Sequence, residues 1–173
     1  MRLTLLIVCS CLLLAPSMAE AKRLGVASQG VTTLTDSSAR ARVKVEIKTH
    51  EIDIGKPSDN YPKSKESSCT YSKYPCSLVE NIKVFVGGNQ VFVPRSAFAD
   101  LADLNAAEVG LRTNGWVLAL FGGDASEAYV ARIYFNAKEV KRRVLVSALS
   151  PNIPLEETTY HTVTVGNQDD RED

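Results

Sequence analysis

Histidine, tryptophan and net charge are all scarce in this chain, and each scarcity removes a class of function. The 173 residues include two histidines and one tryptophan, and 20 Lys and Arg are matched by 20 Asp and Glu. Balanced charge gives no electrostatic pull towards nucleic acid or an anionic membrane. His50 and His161 stand far apart without ligand spacing, and no cysteine-histidine cluster makes a zinc site, so no metal or other cofactor is expected. There is no G-x-S-x-G elbow, which leaves Ser126 without a nucleophile motif. Gly122-Gly123 is not followed by the lysine of a phosphate loop, and the calcium-loop pattern is missing. No internal repeat or heptad is present. No apolar run reaches the ~20 residues that a membrane-spanning helix needs.

What is present begins at the N-terminus. Met1-Arg2, the apolar run from Leu3 to Ala15 and the close Pro16-Ser17-Met18-Ala19 form the pattern of a secretory signal peptide cut after Ala19. Val8-Cys9-Ser10-Cys11 loosely resembles a lipid-attachment motif. Cleavage there would leave only about six apolar residues before it, short of the roughly 7–15 of a normal hydrophobic region. The expected location is therefore secreted or periplasmic, after removal of residues 1–19. Taking 19 residues from 173 leaves 154, enough for one domain and short for two. It also removes Arg2, Cys9 and Cys11, leaving 19 basic residues against 20 acidic.

The surviving cysteines, Cys69 and Cys76, form an even count in an exported chain, which predicts a disulfide. They close part of a long irregular stretch, residues 57–77, that holds three prolines and six serines. Structureless loops of this length inside a domain are usually functional or disordered. This one carries Tyr61, Tyr71 and Tyr74 interleaved with Lys63, Lys65 and Lys73. Tyrosine offers contact area at low entropy cost, and serine offers adaptable hydrogen bonds, so these six residues are the candidate binding set. The plain alternative is a solvated insertion held by a staple.

The rest reads as short strands. Residues 20–38 lack a sustained period and are expected to be a flexible lead-in to a single β domain over 39–166, followed by an acidic tail over 167–173. Val43, Val45 and Ile47 alternate with charged residues, and the parity switch to Ile52 and Ile54 predicts a bulge or bend near His50-Glu51. Ile82–Val86, Gly87-Gly88-Asn89 and Val91–Val93 read as a hairpin. Phe98, Leu101 and Leu104 recur every three residues, which predicts a short helix with Asp100 and Asp103 on its wet side. Asn114-Gly115 signals a second hairpin, with Trp116–Phe121 as its return strand. Ala128–Phe135 and Thr158–Val165 follow as strands. Residues 136–147 read as a strand, with a helix capped at Asn136 as the alternative. About eight strands at this spacing predict an all-β domain, or a β-rich one with one short helix, built as an antiparallel sandwich or small barrel.

Gly122-Gly123-Asp124-Ala125-Ser126-Glu127 gathers two carboxylates and a hydroxyl, but a tight hairpin connection explains it. Trp116, flanked by Val117, Leu118 and Leu120, reads as core, the alternative being an exposed ring that stacks on sugars. The functional expectation is an exported, non-catalytic binding protein that engages a protein partner, for example an inhibitor of a secreted hydrolase or an envelope accessory factor. The alternatives are a small secreted hydrolase using strand-borne carboxylates, and a carbohydrate- or cell-wall-binding module.

Overall fold

The structure, a computed structural model, describes residues 22–37, 40–56, 58 and 68–162. The expected signal peptide, the acidic tail, and Tyr61, Lys63 and Lys65 lie outside the described residues. Ten strands are arranged as two antiparallel sheets: β1 (Leu24–Gly25), β2 (Gly30–Ser37), β3 (Arg42–Ile52), β4 (Cys76–Val86), β5 (Asn89–Val91), β6 (Leu104–Arg112), β7 (Gly115–Gly122), β8 (Tyr129–Phe135), β9 (Val140–Ser147) and β10 (Pro154–Thr159). The four-stranded sheet is the meander β2-β3-β4-β5, and the six-stranded sheet is β1-β6-β7-β8-β9-β10. Neither closes on itself, so the architecture is a sandwich and not a barrel. The chain crosses between sheets after β1 and again after β5.

Alternation builds the common core. Val43, Val45 and Ile47 of β3 and Ile82, Val84 and Val86 of β4 face Leu118 and Leu120 of β7 and Ala131, Ile133 and Phe135 of β8 in one buried cluster. Trp116 belongs to this core, 6% exposed and stacked on Phe135 with ring centroids 6.1 Å apart. The β4–β5 hairpin turns on Gly87 and Gly88, whose φ values of 59° and 89° suit the twist of a two-residue hairpin turn. The β6–β7 turn occupies Thr113-Asn114, because Arg112 pairs with Gly115. Gly115 is instead the first strand residue, and a Cβ there would meet the Phe135 carbonyl oxygen at 2.2 Å.

Several expectations are corrected. Residues 22–37, expected as a flexible lead-in, carry β1 and β2, and all eight residues of β2 pair with β3. The alternation there is hidden because a threonine, Thr32, shares the inward face with Leu34. The expected helix after Pro94 is a single 3₁₀ turn, Arg95–Ala97. Phe98 and Leu101 are still buried, but Asp103 takes a φ of 51° and Leu104 opens β6. The bulge expected near His50-Glu51 sits on the opposite strand. Lys48 pairs with Asn81 and Thr49 with Val79, which leaves Glu80 as the extra residue of β4. Along β3 the faces alternate without a break; the apolar residues simply change side at Ile52.

The ambiguous segment after Asn136 is strand β9. A register shift after Tyr134 pairs Val140 with Phe135 and Arg142 with Tyr134, so Val140 faces inward while Arg142, Val144 and Val146 face outward. The last strand runs from Pro154 to Thr159, earlier than the threonine-valine run suggested. Two glutamates are drawn into it by arginines of β9: Glu156 contacts buried Arg143 at 2.6 Å and Glu157 contacts Arg142 at 2.9 Å.

Candidate functional site

The loop joining β3 to β4 lies at one end of the sandwich, beside the start of β6 and the β7–β8 connection. Its anchor is a carboxylate that sequence reasoning placed on a wet helix face. Asp103 is only 3% exposed. One of its carboxylate oxygens accepts the Ser77 amide at 2.9 Å, and the other accepts the Thr70 amide at 2.8 Å. The Asp103 amide donates to the Ser77 carbonyl at 2.6 Å. The backbone on both sides of the disulfide is therefore tied to one residue.

The disulfide itself is formed, with Cα atoms 5.6 Å apart. Cys69 and Cys76 are buried with Ile54 and Ala102 in a small second core, against which Ile52, Tyr74 and Leu78 pack. This is where the switched face of β3 goes: Ile52 and Ile54 leave the main core to cover the staple.

The glycine-rich turn after β7 supplies the third support. The Glu127 carboxylate accepts the Tyr71 amide at 2.9 Å, and Asp124 accepts the Ser72 hydroxyl at 3.3 Å. Asp124 also accepts the Ala125 amide at 2.8 Å, capping the 3₁₀ turn Ala125–Glu127. The two carboxylates of the 122–127 turn thus hold the loop in place. Lys73 bends back onto the Asn105 side chain and reaches the Asp103 carbonyl at 3.4 Å, while Asn105 donates to the Gly123 carbonyl at 2.7 Å.

Of the six residues expected to bind, three are described, and they have different surroundings. Tyr71 projects from the loop and is 61% exposed. Lys73 is half-buried and engaged internally, and Tyr74 is half-buried in the second core. A groove of about 360 Å³ is lined by Ser72, Lys73, Tyr74 and Pro75 of the loop and by Ser28, Glu51 and Leu104. The groove offers a mixed-charge, hydroxyl-bearing wall. Such a surface can hold a protein side chain.

Elsewhere the candidate chemistry disperses. His50 lies on β3, with Nδ1 3.9 Å from a Glu80 carboxylate oxygen, and His161 lies beyond the end of β10 in the other sheet. Among the described residues no three His, Cys, Asp or Glu side chains are grouped to hold a metal ion. No described helix is long and apolar enough to cross a membrane. Two residues that organise the molecule gave no usable sequence signal. Arg143, with a side chain 1% exposed, bridges Asp100 at 2.5 Å and Glu156 at 2.6 Å. Tyr129 donates its hydroxyl to the Ala102 carbonyl at 2.6 Å and accepts the Ala102 amide at 3.1 Å. Burial pushes that hydroxyl's pKa well above the ordinary tyrosine value. Compared with models of protein families, with curated proteins and with solved structures, the chain matches none.

Proposed function

We propose that this chain is an exported, non-catalytic binding protein that engages a protein partner through its disulfide-closed loop. The observation that carries the reading is rigid support beneath an exposed aromatic. Tyr71 is 61% exposed on a loop held by a disulfide, by the Asp103 carboxylate and by Glu127. Pre-organisation of this kind lowers the ordering cost of association, and tyrosine is enriched among residues that dominate interfaces. The disulfide supports an oxidising compartment, consistent with the signal-peptide pattern of residues 1–19. An inhibitor of a secreted hydrolase, or an accessory factor of the envelope, fits such a surface.

The carbohydrate reading required Trp116 or several tyrosines exposed on one flat face; the indole is buried, and of the loop tyrosines described Tyr71 is exposed while Tyr74 is half-buried. The hydrolase reading required paired carboxylates in a cleft, whereas Asp103, Asp124 and Glu127 are occupied with loop hydrogen bonds. The test is capture of partners from the exported fraction by the oxidised protein and by its Tyr71→Ala variant. Loss of capture with an unchanged melting temperature supports the reading; unchanged capture overturns it.

A further inference from the structure

The two outward sheet faces differ in kind. On the four-stranded sheet, lysines and glutamates pair in the open, Lys44 with Glu46 at 2.8 Å and Lys48 with Glu80 at 2.6 Å. On the six-stranded sheet, β7 to β9 do not alternate between apolar and polar residues. Ala119, Val130, Val144 and Val146 form a buried cluster of their own, with Phe121 and Tyr134 packed against it. An antiparallel sheet that meets water on one side normally keeps that side polar. This face instead has an apolar floor beneath arginines.

Four arginines stand on this floor or at its rim: Arg23, Arg112, Arg132 and Arg142. The Arg23 guanidinium lies 3.7 Å from the Phe121 ring centroid, and that of Arg142 lies 5.5 Å from the Tyr134 centroid. Two of the four meet carboxylates, Arg23 with Glu108 at 3.5 Å and Arg142 with Glu157 at 2.9 Å. Arg112 and Arg132 reach only backbone carbonyls, those of Leu111 at 2.9 Å and Pro151 at 3.5 Å. Among the described residues no carboxylate lies within ion-pairing distance of either. Between them is a depression of about 260 Å³, walled by Arg23, Arg112 and Arg132 together with Glu108, the carboxylate that Arg23 meets, and floored by Val117, Ala119 and Phe121.

We propose that this face is a second docking surface, for an extended segment of a partner protein in which acidic and apolar residues alternate. The inference rests on the reading of the chain as a protein-binding module but uses a surface separate from the Tyr71 loop. Charge complementarity selects the occupant. Two guanidinium groups lack carboxylates, and arginine's planar fork is suited to receiving them in pairs. The apolar floor selects a protein segment over an acidic glycan, which would engage the arginines and leave Val117, Ala119 and Val130 unused. Arginine over aromatic and aliphatic surface is also the composition enriched in interface cores, where lysine is depleted.

The test titrates the oxidised protein against a fluorescein-labelled peptide of alternating glutamate and leucine, read by anisotropy at low salt. A lysine-leucine peptide of the same length and a heparin oligosaccharide are the comparisons. The glutamate-leucine peptide is expected to bind, to weaken as salt rises, and to lose about tenfold in affinity on Arg112→Glu, which places a repelling charge at the exposed rim. Arg132→Gln is expected to weaken binding without changing the melting temperature. Tyr71→Ala is expected to leave peptide binding unchanged, so failure of this site and failure of the loop are separately visible. No binding of the glutamate-leucine peptide, equal binding of the lysine-leucine peptide, or tighter binding of heparin overturns the proposal.

Discussion

The buried carboxylate of Asp103 accepts the amides of Thr70 and Ser77, tying both flanks of the disulfide to one side chain. Asp103→Asn replaces one acceptor with a donor that must face an amide. The expected cost is about 1–3 kcal/mol of stability, read from denaturant unfolding. Arg143 makes a different case. Its two carboxylates are half exposed, so removing the guanidinium strands no buried charge, and its Nε is buried without a hydrogen-bond partner among the described residues. Arg143→Met should therefore change stability by less than about 1 kcal/mol, whereas Arg143→Ala leaves a cavity and should cost about 2–4 kcal/mol. Tyr129 predicts a pH dependence. Its pKa is raised by burial, so the stability it contributes is intact below the ordinary tyrosine value of about 10. Above that pH the unfolded chain releases the proton first, and stability falls as pH climbs towards the folded-state value. The wild-type melting temperature should drop more steeply above pH ~10 than that of Tyr129→Phe. Nothing in Phe98-Ala99-Asp100-Leu101-Ala102-Asp103 distinguishes a buried hub from a wet helix face, because both place carboxylates between apolar residues. That is why the key side chain of the site was illegible in the sequence.

At the scale of elements, strands with clean alternation were legible, and those whose inward face is polar were not. β3 shows its pattern openly, whereas β2 puts Thr32 inward beside Leu34 and β10 is held by Glu156 and Glu157. The disulfide was legible from the cysteine count and the expected compartment, but its burial was not, because the apolar cover comes from Ile52, Ile54 and Ala102, distant in sequence. Tyr71, Lys73 and Tyr74 share one loop in the sequence, and only tertiary contacts decide that Tyr71 is exposed while Tyr74 packs against the second core. Cys69→Ala with Cys76→Ala should cost about 2–3 kcal/mol by loop-closure entropy, with some further loss from the second core. Amide exchange should rise at Thr70 and Ser77 and stay slow in β7 and β8, a pattern expected of a local opening. Uniform acceleration would show that the staple supports the whole sandwich.

At the scale of the molecule, two meanders share one core and leave two surfaces with distinct physical character, a stapled loop at one end and an arginine-covered sheet face. The charge balance read from the sequence concealed the second surface, since a net charge near zero says nothing about how arginines are distributed. The central claim is that the loop presents Tyr71 to a partner protein. The most direct measurement is the affinity of the oxidised protein for the partner it captures, compared between wild type and Tyr71→Ala at matched melting temperature. A loss of tenfold or more, about 1.4 kcal/mol, is predicted for a central aromatic anchor. Equal affinities in the two proteins would contradict the account.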